Sequence, residues 1–196
     1  DTPSSGQVTV NGRSYRDIPA PMHEVGALLD AKAAYGGHTA QQHLRWIARA
    51  GGIPEKRVGD VLDIVGLADV AGRRVGGFSL GMYQRLGIAV ALLGDPRILI
   101  FDEPVNGLDP EGIRWIRSFL QQLAADGRTI LLSSHLMSEM EETADHIIVI
   151  GRGRLIADES IAAFTQRSRS SHVRVVSPRA ADLAPLLERA GAIVTR

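Results

Sequence analysis

The stretch RILIFDEPVNGLDP, residues 97–110, runs four apolar residues straight into two adjacent carboxylates, Asp102 and Glu103. A short, continuous apolar run bounded by turn residues predicts a buried strand over 98–101. Pro110 suits the first position of a helix, predicted over 110–125. Downstream the pattern predicts a strand at 129–133, a helix at 136–144 and a strand at 146–150. Alternating strands and helices, with continuous apolar strands, predict an α/β fold whose parallel sheet is covered on both faces. An apolar strand ending in Asp-Glu puts both acids at the carboxyl edge of that sheet, where α/β proteins bind ligands.

The composition sets broad limits. The 196 residues suffice for one medium domain, or one domain with a small appendage. Hydrophobic residues make up 44% and charged residues 22%, as in ordinary soluble proteins. The 22 basic and 22 acidic residues balance, so net charge argues for neither nucleic acid nor an anionic membrane surface. With no cysteine, disulfides and thiolate metal sites are excluded. No apolar run approaches the roughly 20 residues of a membrane span. DTPSSGQVTV, at the start, has neither Met nor a signal-peptide pattern. These features predict a cytosolic protein, and a fragment.

Upstream of the opening stretch, GQVTVNGRSY alternates Val8 and Val10 with polar residues and turns at Asn11-Gly12, which predicts a strand and hairpin turn. Residues 21–29 predict a short buried strand running into a loop. Thr39 can cap a helix to about Ala50, with Leu44, Ile47 and Ala48 at helical spacing. Pro54 suits the first turn of a second helix, with Val58, Val61, Leu62 and Val65 on one face. GGFSLG opens a third helix, from about Leu80 to Leu93. Downstream, IIVIGRGRLIA predicts two strands joined at Gly-Arg-Gly. QRSRSS, 166–171, reads as a linker. HVRVV, a helix from about Arg179 to Ala190, and AIVT then make a strand–helix–strand unit.

Four motifs carry chemistry, and each has a plainer reading. Asp102 can hold Mg²⁺, and Glu103 can polarise a water for attack on phosphorus; acids after a strand are also common solvated turns. His135, at the end of the next strand, falls on the same sheet edge, where an imidazole can contact a γ-phosphate; a lone His there is usually a surface residue. Asp109 in NGLDP is by itself a helix cap. FSLGMYQR, 78–85, offers a Ser, a Gly and free backbone N–H groups at a helix start, an anion-binding arrangement; a Ser there is also an ordinary cap.

In this order and spacing, the four motifs resemble the nucleotide-binding subunit of ATP-binding-cassette (ABC) transporters. FSLGMYQR resembles the family signature, ILIFDEP the Walker B strand with the catalytic Glu, NGLDP the D-loop and SSH the switch histidine. The resemblance spans about residues 1–160, and the wording is most similar to bacterial bacitracin- and daunorubicin-resistance-type exporters. It implies a partial P-loop NTPase (RecA-like) parallel sheet with an inserted helical subdomain and the start of a small C-terminal α+β extension. Residues 1–37 would be the remainder of the N-terminal core part and 38–94 the helical signature subdomain. Residues 95–165 would carry Walker B, D-loop and switch His, and 166–196 the linker and truncated extension.

The resemblance also implies roles. Asp102 helps hold Mg²⁺ through water. Glu103 is the general base, or positions the attacking water. His135 contacts the γ-phosphate of ATP on its own subunit. Ser79 and Gly81 reach the ATP of a second nucleotide-binding subunit, expected to be identical, and Asp109 lines that interface. ATP hydrolysis to ADP and phosphate would power export of a drug- or antibiotic-like solute through a separate membrane permease, with no nucleic-acid partner. The subunit would be cytoplasmic, held at the inner face of the membrane by the permease. Residues from Asp30 to about Trp46 would face the permease, with Trp46 and Tyr35 as candidate contacts; each aromatic taken singly reads as core. A soluble ABC-type ATPase and a non-catalytic fragment stay open as alternatives.

The sequence departs from the family pattern in three places. Phe78, Leu80 and Met82 replace residues of Leu-Ser-Gly-Gly-Gln, while Ser79 and Gly81 remain. Asp30 falls where Gln is usual; Asp only accepts hydrogen bonds yet suits a Mg²⁺-bound water, and it also reads as a solvated loop acid. A Walker A loop needs Gly-Lys-Ser/Thr, but the two lysines, Lys32 and Lys56, follow Ala31 and Glu55. The family places that loop ahead of SGQVTVNG, so it is expected upstream of Asp1, in a chain truncated at the N-terminus and at the C-terminus. This 196-residue polypeptide is therefore expected to bind ATP negligibly and not to turn it over; tight Mg-ATP binding would contradict this.

Overall fold

The computed structural model describes residues 4–169, 180–191 and 194. They fall into two compact units, Asp1–Thr143 and Ala144–Arg196. The first opens with a hairpin of β1 (Thr9–Val10) and β2 (Arg13–Ser14). Its turn residues Asn11 and Gly12 have φ of 50° and 76°, both positive as a tight two-residue hairpin requires. The predicted strand from 21 is instead split. Pro21 fixes φ for a helical first turn, giving a short α1 (Pro21–Glu24), and only then β3 (Val25–Leu28).

Three helices follow. Helix α2 (Ala40–Ala50) starts at a reciprocal cap: Gln42 N–H donates to Thr39 Oγ1 at 3.1 Å, and Thr39 N–H donates to Gln42 Oε1 at 3.0 Å. Ala40, Leu44 and Ala48 are buried at four-residue spacing, whereas Trp46, two residues off that stripe, is 72% exposed. Tyr35 is 69% exposed, so neither aromatic is a core residue here. Helix α3 (Lys56–Ile64) buries Val58, Val61 and Leu62, and α4 (Leu80–Leu92) buries Leu86, Ile88 and Ala89. The last carbonyls of α4 are taken up by Arg57, which donates to Leu92 O at 3.0 Å. After the bend at Asp95, Arg128 donates to Pro96 O at 2.6 Å and to Asp95 Oδ1 at 2.8 Å.

Strand β4 (Ile98–Phe101), helix α5 (Pro110–Ala125), strand β5 (Thr129–Leu132) and helix α6 (Met137–Thr143) complete this unit. The three strands form a parallel sheet in the order β3-β4-β5, with Leu28, Phe101 and Leu132 in register. Gly26, Leu28, Leu99, Phe101, Ile130 and Leu132 share one face, which joins the core with α4 and α5. Helix α4 lies so close that a Cβ on Gly26 would sit 1.9 Å from the Ala91 carbonyl oxygen. The fully buried side chains of this face, Leu28, Leu99 and Phe101, contribute roughly 1.5–3 kcal/mol each. On the opposite face Ala27, Thr129 and Leu131 are exposed among the described residues. Among the described residues, α4 and α5 both pack on the core face, and Val25 is the buried residue of the other.

In the second unit, β6 (His146–Gly151) and β7 (Arg154–Ser160) form an antiparallel hairpin. The turn at Arg152-Gly153, with φ of 50° and 70°, is the predicted Gly-Arg-Gly junction. A two-residue turn dictates antiparallel pairing, so β6 pairs with β7. Residues 166–169, expected as linker, continue α7 (Ile161–Arg169), which starts where Ala163 N–H donates to Ser160 Oγ at 3.2 Å. Helix α8 spans Ala180–Arg189. The HVRVV strand, residues 170–171 and most of AIVT lie outside the described residues. Among the described residues, no helix is long and apolar enough to cross a membrane.

Candidate functional site

The parallel register brings the ends of β4 and β5 side by side. Pairing continues one residue past the strands: Asp102 N–H donates to Leu28 O at 2.8 Å, and Ser133 N–H to Phe101 O at 2.9 Å. Both acids of the opening stretch therefore emerge at one edge, next to Ser133. The Ser133 hydroxyl bridges them. It accepts from Glu103 N–H at 2.9 Å and donates to Asp102 Oδ1. This grip matters because Glu103 has φ of 48°, a left-handed conformation that costs a non-glycine residue roughly 1–2 kcal/mol. The strained backbone turns the chain so that consecutive acids take different surroundings.

Glu103 and His135 meet directly. The two carboxylate oxygens lie 3.0 and 2.9 Å from His135 Nδ1. A carboxylate only accepts, so Nδ1 carries the proton in this contact. His135 is 60% exposed and Glu103 33%. So open a contact adds about 0–1 kcal/mol to stability, and its consequence is geometric.

A helix start lies beside this edge. Ser79 caps α4, accepting from Met82 N–H at 3.3 Å, and the N–H groups of the first turn stand at the positive end of the helix. The loop after Glu103 packs against that turn: a Cβ on Gly107 would lie 2.7 Å from Leu80, and one on Gly81 3.8 Å from Leu108. Gly107 has φ of 71°, so the loop needs glycine for both conformation and space. Asp109 ends the loop by capping α5, accepting from Gly112 N–H at 2.8 Å. The two helices are tied further along, where Arg85 of α4 stacks 3.9 Å over Trp115 of α5 and donates to Val65 O at 3.1 Å.

Asp30 stands two residues past β3, the third strand on this edge. Its side chain accepts from Lys32 N–H at 2.8 Å, so it caps its own loop. The structure thus gathers Asp102, Glu103 and His135, and joins Ser79, Gly81 and Asp109 to them through the 106–109 loop. Ser133, which links the two acids, is not singled out in the sequence reading; the strand register alone reveals it, through its place beside Asp102. Among the described residues, no group of three or more His, Asp or Glu is arranged to hold a metal. The edge does offer carboxylate and hydroxyl oxygens, the donors a hard cation shares with water and phosphate.

The chain as a whole is similar to known proteins. The family profile described as "ABC transporter" matches residues 1–106. The chain is 39% identical over 170 residues to the "Bacitracin transport ATP-binding protein BcrA" of Enterococcus faecalis, covering 85% of this chain and 55% of that protein. It is 37% identical to the "Lantibiotic transport ATP-binding protein SrtF" of Streptococcus pyogenes, covering 80% and 67%. With the "ABC transporter ATP-binding protein NatA" of Bacillus subtilis it shares 36%, covering 89% and 73%. A solved structure titled "Structure of ATP binding subunit of ABC transporter" superposes with a TM-score of 0.72 at 28% identity, covering 85% of this chain and 72% of that one. The chain spans about half the length of BcrA. From profile, relatives and fold together, the chain belongs to the ABC transporter family, among its ATP-binding subunits.

Proposed function

We propose that the sheet edge at Asp102, Glu103 and His135 is the metal-and-water side of an ATP-hydrolysing site. The observation that carries this reading is the shared edge itself: two acids with different surroundings, a bridging hydroxyl and an imidazole on one of the acids. In the reaction, a water oxygen bonds to the γ-phosphorus and its proton passes to the Glu103 carboxylate. The bond to the β–γ bridging oxygen breaks, and ADP and phosphate leave. Glu103 accepts the proton, His135 holds the Glu103 carboxylate in place, and the imidazole would contact the γ-phosphate. Asp102 would hold Mg²⁺ through water, and that ion would neutralise phosphate charge. Asp30 would accept from a metal-bound water at the position where Gln is usual.

Ser79 and Gly81 would present the start of α4 to the ATP of a second, identical subunit, with Asp109 at the same interface. Hydrolysis would power export of an antibiotic-like solute through a membrane permease; the names of BcrA and SrtF, one bacitracin and one lantibiotic transport protein, support that class. Exposed Tyr35 and Trp46 support a permease-facing surface along the loop after Asp30 and α2. The subunit would sit at the cytoplasmic face of the membrane through that contact.

The test is Mg²⁺-dependent phosphate release by the natural gene product, and the same assay on Asp102→Asn. The expected result is ATP turnover that the variant loses together with its dependence on Mg²⁺. A gene product without turnover, or a variant with the wild-type Mg²⁺ response, would refute the assignment.

A further inference from the structure

His135 is anchored from two sides. Upstream, Ser133 is fixed to β4 through Phe101 O. Downstream, the chain enters α6 two residues after His135. That helix is seven residues long, far below the length at which an isolated helix is stable. Its sequence, MSEMEET, buries Met140, leaves Met137 exposed and is otherwise polar, so burial gives it little hold.

Helix α5 supplies the hold. Arg117 donates through Nη2 to Glu139 Oε2 at 2.7 Å and through Nη1 to Glu142 Oε2. One turn on, Gln121 Nε2 donates to Glu142 O at 2.9 Å. The Arg117 and Glu139 side chains are 24% and 20% exposed, much less open than an ordinary surface pair. The hydrogen bond donated to Glu139 raises the Arg117 guanidinium above its usual range, with the Glu142 and Glu139 charges acting in the same direction against burial. A planar fork on two carboxylates fixes direction as well as distance, which a single charge does not.

We infer that Arg117 is a positioning residue for His135: by clamping Glu139 and Glu142 it sets where α6 begins, and so keeps the imidazole on Glu103. The inference rests on the hydrolytic reading of the Glu103–His135 edge. It also links that edge to α5, the helix that Asp109 caps.

The test is a double-mutant cycle in the natural gene product, reading kcat, KM for ATP and Tm. Arg117→Met is expected to lower kcat about tenfold with KM within twofold, because the guanidinium is engaged by Glu139 and Glu142 and acts through α6. Arg117→Lys should recover part of the loss. In a His135→Ala background, Arg117→Met should remove less than a further twofold, since its effect passes through the imidazole. Glu139→Gln, which keeps a side chain of the same shape, should lower kcat in the same direction and serves if Arg117→Met does not fold. Wild-type kcat in the folded clamp variants, or an equal loss with and without His135, would overturn the inference while leaving the site reading intact. Wild-type turnover in His135→Ala would remove His135 from the site and the clamp's role with it.

Discussion

Ser133→Ala tests the hydroxyl that joins the two acids. The substitution removes the acceptor of Glu103 N–H at 2.9 Å and the donor to Asp102. A neutral hydrogen bond contributes about 1 kcal/mol net and one to a charged group about 1.5–3 kcal/mol. Asp102 and Ser133 are exposed, so water replaces much of what is lost and the low end applies: roughly 1–2 kcal/mol in total. For a chain of this size that shifts Tm by roughly 2–8 °C. The same 1–2 kcal/mol, released as Glu103 relaxes from its φ of 48°, corresponds to a roughly 5–30-fold fall in kcat. Because the hydroxyl also donates to Asp102, KM for Mg-ATP should rise a few-fold alongside the fall in kcat that reports Glu103. Calorimetry and steady-state phosphate release on the natural gene product give both numbers, and Ser133→Thr, which keeps the hydroxyl, should recover most of kcat. Unchanged kcat in the folded Ala variant would refute the bridging role.

Two further outcomes probe the scaffold. Gly26→Ala pushes a Cβ to within 1.9 Å of the Ala91 carbonyl oxygen; backbone must move, and overpacking of this kind costs about 3 kcal/mol or more, seen as a Tm loss of roughly 6–12 °C. A variant as stable as wild type would mean that α4 and β3 are not that close. The hydrogen bond from Arg128, aided by the Arg128 and Arg57 charges, holds the Asp95 carboxyl below its usual range against some burial. A carboxyl with a depressed folded-state value adds stability that is present above the unfolded value, about 3.9, and is lost as pH falls through the folded value. Asp95→Asn should therefore be less stable at pH 7 and decline less steeply between pH 5 and 2, measured by urea unfolding; parallel pH curves for both proteins would contradict the pairing.

Much of this architecture is legible locally. The Thr39 capping box, the Ser79 and Asp109 caps and the β4 run are all written in neighbouring residues, and their boundaries follow from those residues alone. Trp46, which taken singly reads as core, is exposed because it stands two positions off the buried 40/44/48 stripe of α2. What escapes local reading depends on partners distant in sequence. Ser133 is chemically ordinary until the β4–β5 register sets it beside Asp102, and Arg117 is one cation of many until α6 folds against α5. For β6, the Gly-Arg-Gly junction at 151–153 already marks β7 as the antiparallel neighbour along one edge. The helix at 161–169 was hidden by the polar composition of 166–171, which suits a solvated helix end as well as a linker.

The most direct test of the hydrolytic edge is Glu103→Gln in the natural gene product, measuring ATP turnover and Mg-ATP binding on the same sample. Gln keeps the size and the contact distance to His135 but cannot take a proton from water. Turnover should fall by roughly two or more orders of magnitude while binding persists within a few-fold. Wild-type turnover in that variant, or loss of binding in step with turnover, would contradict the account.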